Sequence, residues 1–315
     1  VDSSNAADVE TLTGNIAQHW SGTPQTIFDA ASTPDSLHLP EEETPQANDA
    51  APSTWTMLGS DVSQWNAELA SGTSPTAYVP PGQYLSSSGS QVIDVPASVN
   101  HLQFYTAMRG SVGYVITLNI EGTSADAPLI IDGCLYESCI FNHLTSRTVV
   151  INDTTGNLYN AQVGSGNLFV EDSGLSTTTV PVTFYSTQKV WARQLNLEQK
   201  GADKIDCVGC TLWALGYKTE QDTTDLVLTA GAKAELFGFF NYQLSVPTAA
   251  ESSNFVLTDS SLFASGWTEV NISGYGAPDW VTETRSGGNS SSLKTSTTTT
   301  NVSLPMFYSF GATKP

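Results

Sequence analysis

The sequence is short of positive charge. Lys and Arg number 11 against 31 Asp and Glu, and none precedes Arg109. A net charge of −20 lacks the cationic footprint that phosphate backbones and anionic lipid surfaces require, so neither nucleic acid nor an anionic membrane is an expected partner. Charge of either sign is sparse, at 13% of residues, and Ser, Thr, Gly and Asn carry much of the polarity. The acidity reads as a solubility device for an extracellular medium. Long apolar runs are missing too. None approaches the roughly 18–20 residues that span a bilayer, so no membrane insertion is expected. There is no Met and no basic-then-apolar leader at Val1, from which we expect a secreted chain whose signal peptide has been removed. Asn152, Asn271, Asn289 and Asn301 each open an Asn-x-Ser/Thr sequon and are glycosylation candidates.

Chemical motifs are equally scarce. There is no phosphate-cradling Gly-rich loop, no HExxH and no Ser-nucleophile motif, and no cofactor is expected. The four histidines are scattered, and His143 reads as a packed turn residue. Four cysteines form two local pairs, Cys134/Cys139 and Cys207/Cys210. One four-thiolate zinc site is a possible reading. Two local disulfides, or buried thiols, in an oxidising compartment are favoured, because the rung count below places the pairs about three rungs apart.

What the chain does have is a repeat. Between about residues 129 and 263, short β-rich runs alternate with Gly/Asn/Asp/Ser/Thr turns, and no helical pattern intervenes. The runs centre near Ile130, Val150, Phe169, Trp191, Leu212, Leu236 and Val256, in steps of about 19–24 residues, the signature of a stacked solenoid. A βαβ sheet needs amphipathic helices, and a sandwich turns more often. The expected fold is therefore all-β, a right-handed parallel β-helix over 51–285. An acidic extended arm (1–50) precedes it, and a Ser/Thr-rich loop with a C-terminal strand (286–315) follows. The arm holds nine carboxylates and no cation. Its apolar groups, among them Ile16, Trp20, Phe28, Leu37 and Leu39, suit docking onto another surface. Asp61–Gly72 predicts a short helix, capped by Asp61 and ended by Gly72, that plugs one end of the solenoid. Ala77–Tyr84 predicts a strand broken by a Pro-Gly turn. Ser286–Asn301 reads as a mobile loop before the strand Leu304–Tyr308.

Residues about 22 apart occupy equivalent places on adjacent rungs. Glu171 and Arg193 should form a surface ion pair. Glu198 and Glu220 should stack within roughly 5–7 Å, raising the pKa of one toward what a glycosidase acid needs. Lys200 and Lys218 are placed to quench both charges instead. Trp191, Trp213 and Tyr217 offer sugar-stacking faces or core ladders, core being the default for the tryptophans.

Several strings resemble the glycosyl hydrolase 28-related (pectate-lyase-3 type) β-helix proteins and, more distantly, the family 55 β-1,3-glucanases. They include Ser36–Pro45, Tyr78–Tyr84, Ser146–Val150, Gly166–Asp172, Val190–Glu198 and Leu212–Glu220. The resemblance implies a carbohydrate-active β-helix matching the second helix of a two-helix architecture plus its linker. It implies an inverting mechanism with Glu220 as general acid, and we expect Glu198 to modulate it. Gln221-Asp222-Thr223-Thr224 stands where the fungal glucanases have His-Asn. The implied partners are a polysaccharide, and a second β-helix chain or domain, or copies of the chain itself. A non-catalytic structural subunit of an extracellular filament, sheath or coat is the alternative.

Overall fold

The computed structural model describes residues 23–81, 90–105, 115–134, 139–162, 165–175, 180–199, 203–220, 223–244, 253–271, 277–294 and 301–311. Ile16, His19, Trp20, Gly82-Gln83-Tyr84, Lys200, Gln221 and Asp222 lie outside these, as do the side chains of Asn271 and Asn301.

The described residues wind into a parallel β-helix of about eight turns and include one short α-helix. A first face stacks Thr56–Met57, Thr76–Val79, His101–Phe104, Leu129–Asp132, Val149–Asn152 and Leu168–Glu171. It continues into the longer strands Lys189–Leu197, Thr211–Glu220, Lys233–Gln243 and Ser261–Asn271, whose second halves form a second face. The second face begins earlier, running from Gln91–Val95 through Ile116–Ile120, Cys139–His143, Thr155–Asn160 and Gly174–Leu175 into the second half of Lys189–Leu197, and a third face runs from Val182–Tyr185 to Asp279–Arg285.

Alternation of side chains along each strand decides what enters the core. On the first face Leu129, Val149, Leu168, Val190, Leu212, Ala234 and Leu262 stack in one inward column, each 1% exposed or less. Between the first and second faces every rung turns through a left-handed residue, from Gly133 through Asp153, Asp172, Gln194, Gly216 and Gly238 to Gly266. At Gly216, a Cβ would meet nothing closer than 3.7 Å. Glycine there answers the φ of +77° rather than a lack of space.

The register corrects the sequence-derived rung centres after the fourth. Ile130, Val150, Phe169 and Trp191 stack as expected, but the next members are Trp213, Glu235 and Phe263. Leu212 and Leu236 belong to neighbouring columns, and Val256 lies on the third face. Strands of nine to eleven residues cover two faces, so the middle of an apolar run no longer marks its register.

Both ends are covered. Asp61 caps a single 3₁₀ turn through Ser63, and the helix Trp65–Ser71 follows, ended by Gly72. Trp65 and Leu69 are buried. Asn66 donates to Val92 O and accepts from Asp94 N, so the helix substitutes for a strand beside the exposed edge. At the other end Asn301–Ser309 pairs antiparallel with Ser261–Asn271, and Asn289–Lys294 pairs antiparallel with Asp279–Arg285. Residues 289–294 are thus a strand, not part of a loop.

The described part of the arm, 23–50, is an extended strap on the outside of the first face. It runs from the last rung to the first. Gln25 bridges to Met306 and Tyr308, Asp29 holds Arg285, and Leu37 and Leu39 donate their N–H groups to Glu235. Further on, Pro40 O accepts from Trp191, Glu42 O from Arg193, and Asp49 from Thr76 and His101.

Candidate functional site

On the second face the outward positions form a grid two residues wide. Asn196 and Glu198 occupy one rung, Lys218 and Glu220 the next, Phe240 and Tyr242 the third, and Thr268 and Val270 the fourth, with adjacent rungs about 4.8 Å apart. A cavity of about 310 Å³ opens beside the left-handed turns, lined by Asp172, Gln194, Asn196, Gly216, Lys218 and Phe240 among others.

The sequence brings Glu198 and Glu220 to this grid, and Lys218 joins them. Its Nζ donates to Glu198 Oε1 and, at 2.6 Å, to Glu220 Oε1. Asn196 Nδ2 adds a bond to Glu198 at 2.8 Å. Partial burial pushes the Glu198 carboxyl up, but the Lys218 and Asn196 hydrogen bonds and the charges of Lys218 and Lys204 outweigh it, and its pKa falls below the ordinary value. The same contacts raise the Lys218 ammonium against the pull of burial. Of the two readings of this pair, mutual repulsion or quenching by a lysine, the structure has the second: the Lys218 ammonium is shared between the two carboxylates, and Glu198 is lowered rather than raised. The Glu220 carbonyl is also occupied, by the buried ammonium of Lys204.

The expected stacking residues do not reach this face. Trp191 and Trp213, 3% and 6% exposed, lie on the first face in an outward column with Ile130, Val150 and Phe169, closed over by Leu39 of the strap. Trp191 stacks on Phe169 at 4.7 Å and donates to Pro40 O. Tyr217 points inward, packs on Phe239 and donates its hydroxyl to Asp225 O. None of the three presents a free ring face, which corrects their reading as sugar platforms. Phe240, 37% exposed, and the half-buried Tyr242 do, with rings 6.3 Å apart and 28° from parallel. Alternation after Gly238 carries the signal for them: Phe239 must enter the core, so Phe240 faces out. Asn196 Oδ1 is buried and has no hydrogen-bond partner among the described residues.

The Glu171–Arg193 pair forms as expected, at 2.9 Å, in register on adjacent rungs. The cysteines form two disulfides, Cys134–Cys139 and Cys207–Cys210. Cys139 lies on the second face and Cys207 on the third, three rungs further on, and the described residues hold no cluster suited to a metal ion. Asn152 is half-buried, its Nδ2 bonded to Asp132, while Asn289 is exposed. His143 is buried, as expected, but it closes the strand Cys139–His143 rather than sitting in a turn. Among the described residues no helix is long and apolar enough to cross a membrane.

No family model matches the chain, and no curated protein and no solved structure matches it either.

Proposed function

We propose that the chain is a secreted carbohydrate-binding β-helix that holds a neutral, β-glucan-like polysaccharide on its second face. The observation that carries this reading is the grid itself, in which an outward aromatic rung adjoins two rungs of hydrogen-bonding groups. Phe240 and Tyr242 would pack against the apolar faces of sugar rings, while Asn196, Glu198, Lys218 and Glu220 exchange hydrogen bonds with hydroxyls. A net charge of −20 repels polyanionic glycans and leaves neutral ones unaffected. Two disulfides suit an oxidising compartment. Binding is favoured over hydrolysis because the Glu198 and Glu220 carboxylates are both ion-paired with the one Lys218 ammonium rather than facing each other across an open gap. The antiparallel strands on the last rung stand against end-to-end stacking into a filament.

The test is calorimetric titration of the chain with soluble β-1,3-glucan. Phe240→Ala should weaken binding by about two- to twelvefold, the equivalent of a lost aromatic contact of ~0.5–1.5 kcal/mol. No release of reducing ends is expected. Absence of binding to neutral glucans, or binding indifferent to the Phe240→Ala/Tyr242→Ala double change, would sink the reading.

A further inference from the structure

The strap is fastened unevenly along the first face. Thr44 donates its hydroxyl to Glu171, which also holds Arg193. Five residues later, Asp49 accepts from Thr76 at 2.6 Å and from His101 Nδ1 at 2.8 Å. Between these anchors, among the described residues, Pro45, Gln46, Ala47 and Asn48 make no hydrogen bond to the solenoid. The one side-chain bond there folds Gln46 back onto Thr44 O. The strap therefore arches over two rungs. Spaces of about 460 and 260 Å³ open on its two sides, and Pro45, Gln46, Ala47 and Ile130 border both.

The chemistry beneath the arch is specific. Its floor is Ile130 and Val150, aliphatic side chains stacked on adjacent rungs. Along one side runs the outward ladder Asp132, Asn152, Glu171 and Arg193, in register on four successive rungs. The cations at this border are already matched, Arg193 by Glu171 and His101 by two carboxylates, which leaves no free positive charge for an anionic ligand. No Phe, Tyr or Trp lines either space, and the His101 ring at the border is buried between two carboxylates, so no open ring face is offered to a nucleobase. Carboxylate and amide oxygens beside an aliphatic floor suit a ligand that donates many hydrogen bonds and carries apolar C–H patches.

We infer that the space under the strap arch is a second saccharide site, separate from the Phe240 face, and that the Asp49–His101–Asp132 bridge is the latch that holds the arch shut. His101 is 5% exposed and binds a carboxylate through each ring nitrogen, Asp49 on the strap at 2.8 Å and Asp132 on the next rung at 2.8 Å. Both nitrogens can donate only when the ring is an imidazolium. Burial pulls its pKa down, but the hydrogen bonds and charges of Asp132 and Asp49 more than offset this, and the pKa lies above the ordinary value. Asp49 and Asp132 are the charged groups that face the ring among the described residues. Thr76, on the preceding rung, is uncharged, and the Arg147 guanidinium is taken up by Asn100 Oδ1 and by backbone carbonyls, not by the ring. The latch is therefore complete at low pH. It loses one of its two bonds as pH rises through the folded pKa, so ligand entry speeds up on the alkaline side.

The test follows the Asn152 side-chain amide and the His101 ring by NMR in the full chain, titrated with a β-1,3-linked glucose hexasaccharide at pH 6 and pH 8.5. Saturable movement of the Asn152 signal is expected, unchanged in Phe240→Ala and weakened at least tenfold in Asn152→Leu. Association should be severalfold faster at pH 8.5. Asp49→Asn removes the strap-side charge of the latch, and it should give the faster rate already at pH 6. An Asn152 signal unmoved at both pH values overturns the site. A rate that neither pH nor Asp49→Asn alters overturns the latch. Because Phe240→Ala reports on the other face alone, failure here is distinguishable from failure of the first reading.

Discussion

Arg147→Met should destabilise the first rungs more than any surface change. The guanidinium is fully buried and all five of its N–H donors are used. Nε bonds Ala127 O at 2.8 Å, Nη1 bonds Pro96 O and Glu121 O at 3.4 and 3.2 Å, and Nη2 bonds Val99 O and Asn100 Oδ1 at 2.7 and 3.2 Å. One side chain thus ties together turns from three successive rungs. A hydrogen bond to a charged group contributes about 1.5–3 kcal/mol net, and the two short ones carry most of it, giving roughly 3–6 kcal/mol. Against this, Met removes a charge that burial disfavours, the same burial that lowers the Arg147 pKa, and the carbonyls of exposed Glu121 and Ala127 can turn to water. The net loss should be about 3–4 kcal/mol.

In a solenoid such a loss is felt by neighbouring rungs before distant ones. Hydrogen exchange should therefore show lost protection in Gln91–Val95, His101–Phe104 and Leu129–Asp132, with Ser261–Asn271 little changed. Urea denaturation should show an earlier onset. Arg147→Lys should recover only part of the loss, because one ammonium cannot serve carbonyls on several turns. A denaturation midpoint for Arg147→Met equivalent to less than about 1 kcal/mol, with unchanged exchange, would refute the argument.

His143 sets an acid limit. Burial drives its pKa down to about 4, against hydrogen bonds from its surroundings, and its Nε2 donates to Arg147 O. Below pH ~6.5 the unfolded ring takes up a proton that the folded ring refuses, so stability should fall between about pH 6.5 and 4 by on the order of 3 kcal/mol. A flat stability profile over that window, measured by denaturant titration, contradicts it. Glu235→Gln should free the strap near Leu37 and Leu39, because the carboxylate accepts both N–H groups. Faster proteolysis around residues 37–39, with the solenoid's circular dichroism unchanged, is the expected result. Reducing both disulfides should cost about 2 kcal/mol each, since loops this short gain little closure entropy; loss of the β-helix spectrum on reduction would contradict this.

The fold was legible because a solenoid writes its register into the sequence. Every rung repeats the same choice of inward apolar column and left-handed turn, so spacing alone found Ile130, Val150, Phe169 and Trp191 and paired Glu171 with Arg193. It failed where the strand count per rung changed. Lengthening to nine or more residues from Lys189 onward shifts the centre of each run, and the step from Glu235 to Phe263 is longer than the others. Glu198 and Glu220 were brought together by the same arithmetic, but their electrostatics were set by Lys218, one rung and two residues away. The strap was hardest to read. An extended segment with no repeat of its own carries no register, and its contacts to Glu235, Trp191 and His101 join residues about 50–200 positions apart.

The strap also explains why the two tryptophans and Phe240 have opposite fates. All three occupy outward positions by alternation, and alternation alone would expose them equally. The first face can afford an aromatic outward column because a chain lies over it, with Leu39 against the rings and Pro40 O taking the Trp191 indole N–H. On the second face, Phe240 remains more than a third exposed beside charged neighbours. A large apolar group left uncovered beside an ordered polar grid contributes little to stability, and its position there is what a recognition surface requires. If covering is what separates structural from functional aromatics here, removing residues 1–50 should expose Trp191 and raise its quenching by acrylamide severalfold. The environment of Phe240 should stay as it was, and glucan binding on the second face should survive. Loss of that binding on truncation, with the solenoid intact, would mean that the strap belongs to the site it does not touch.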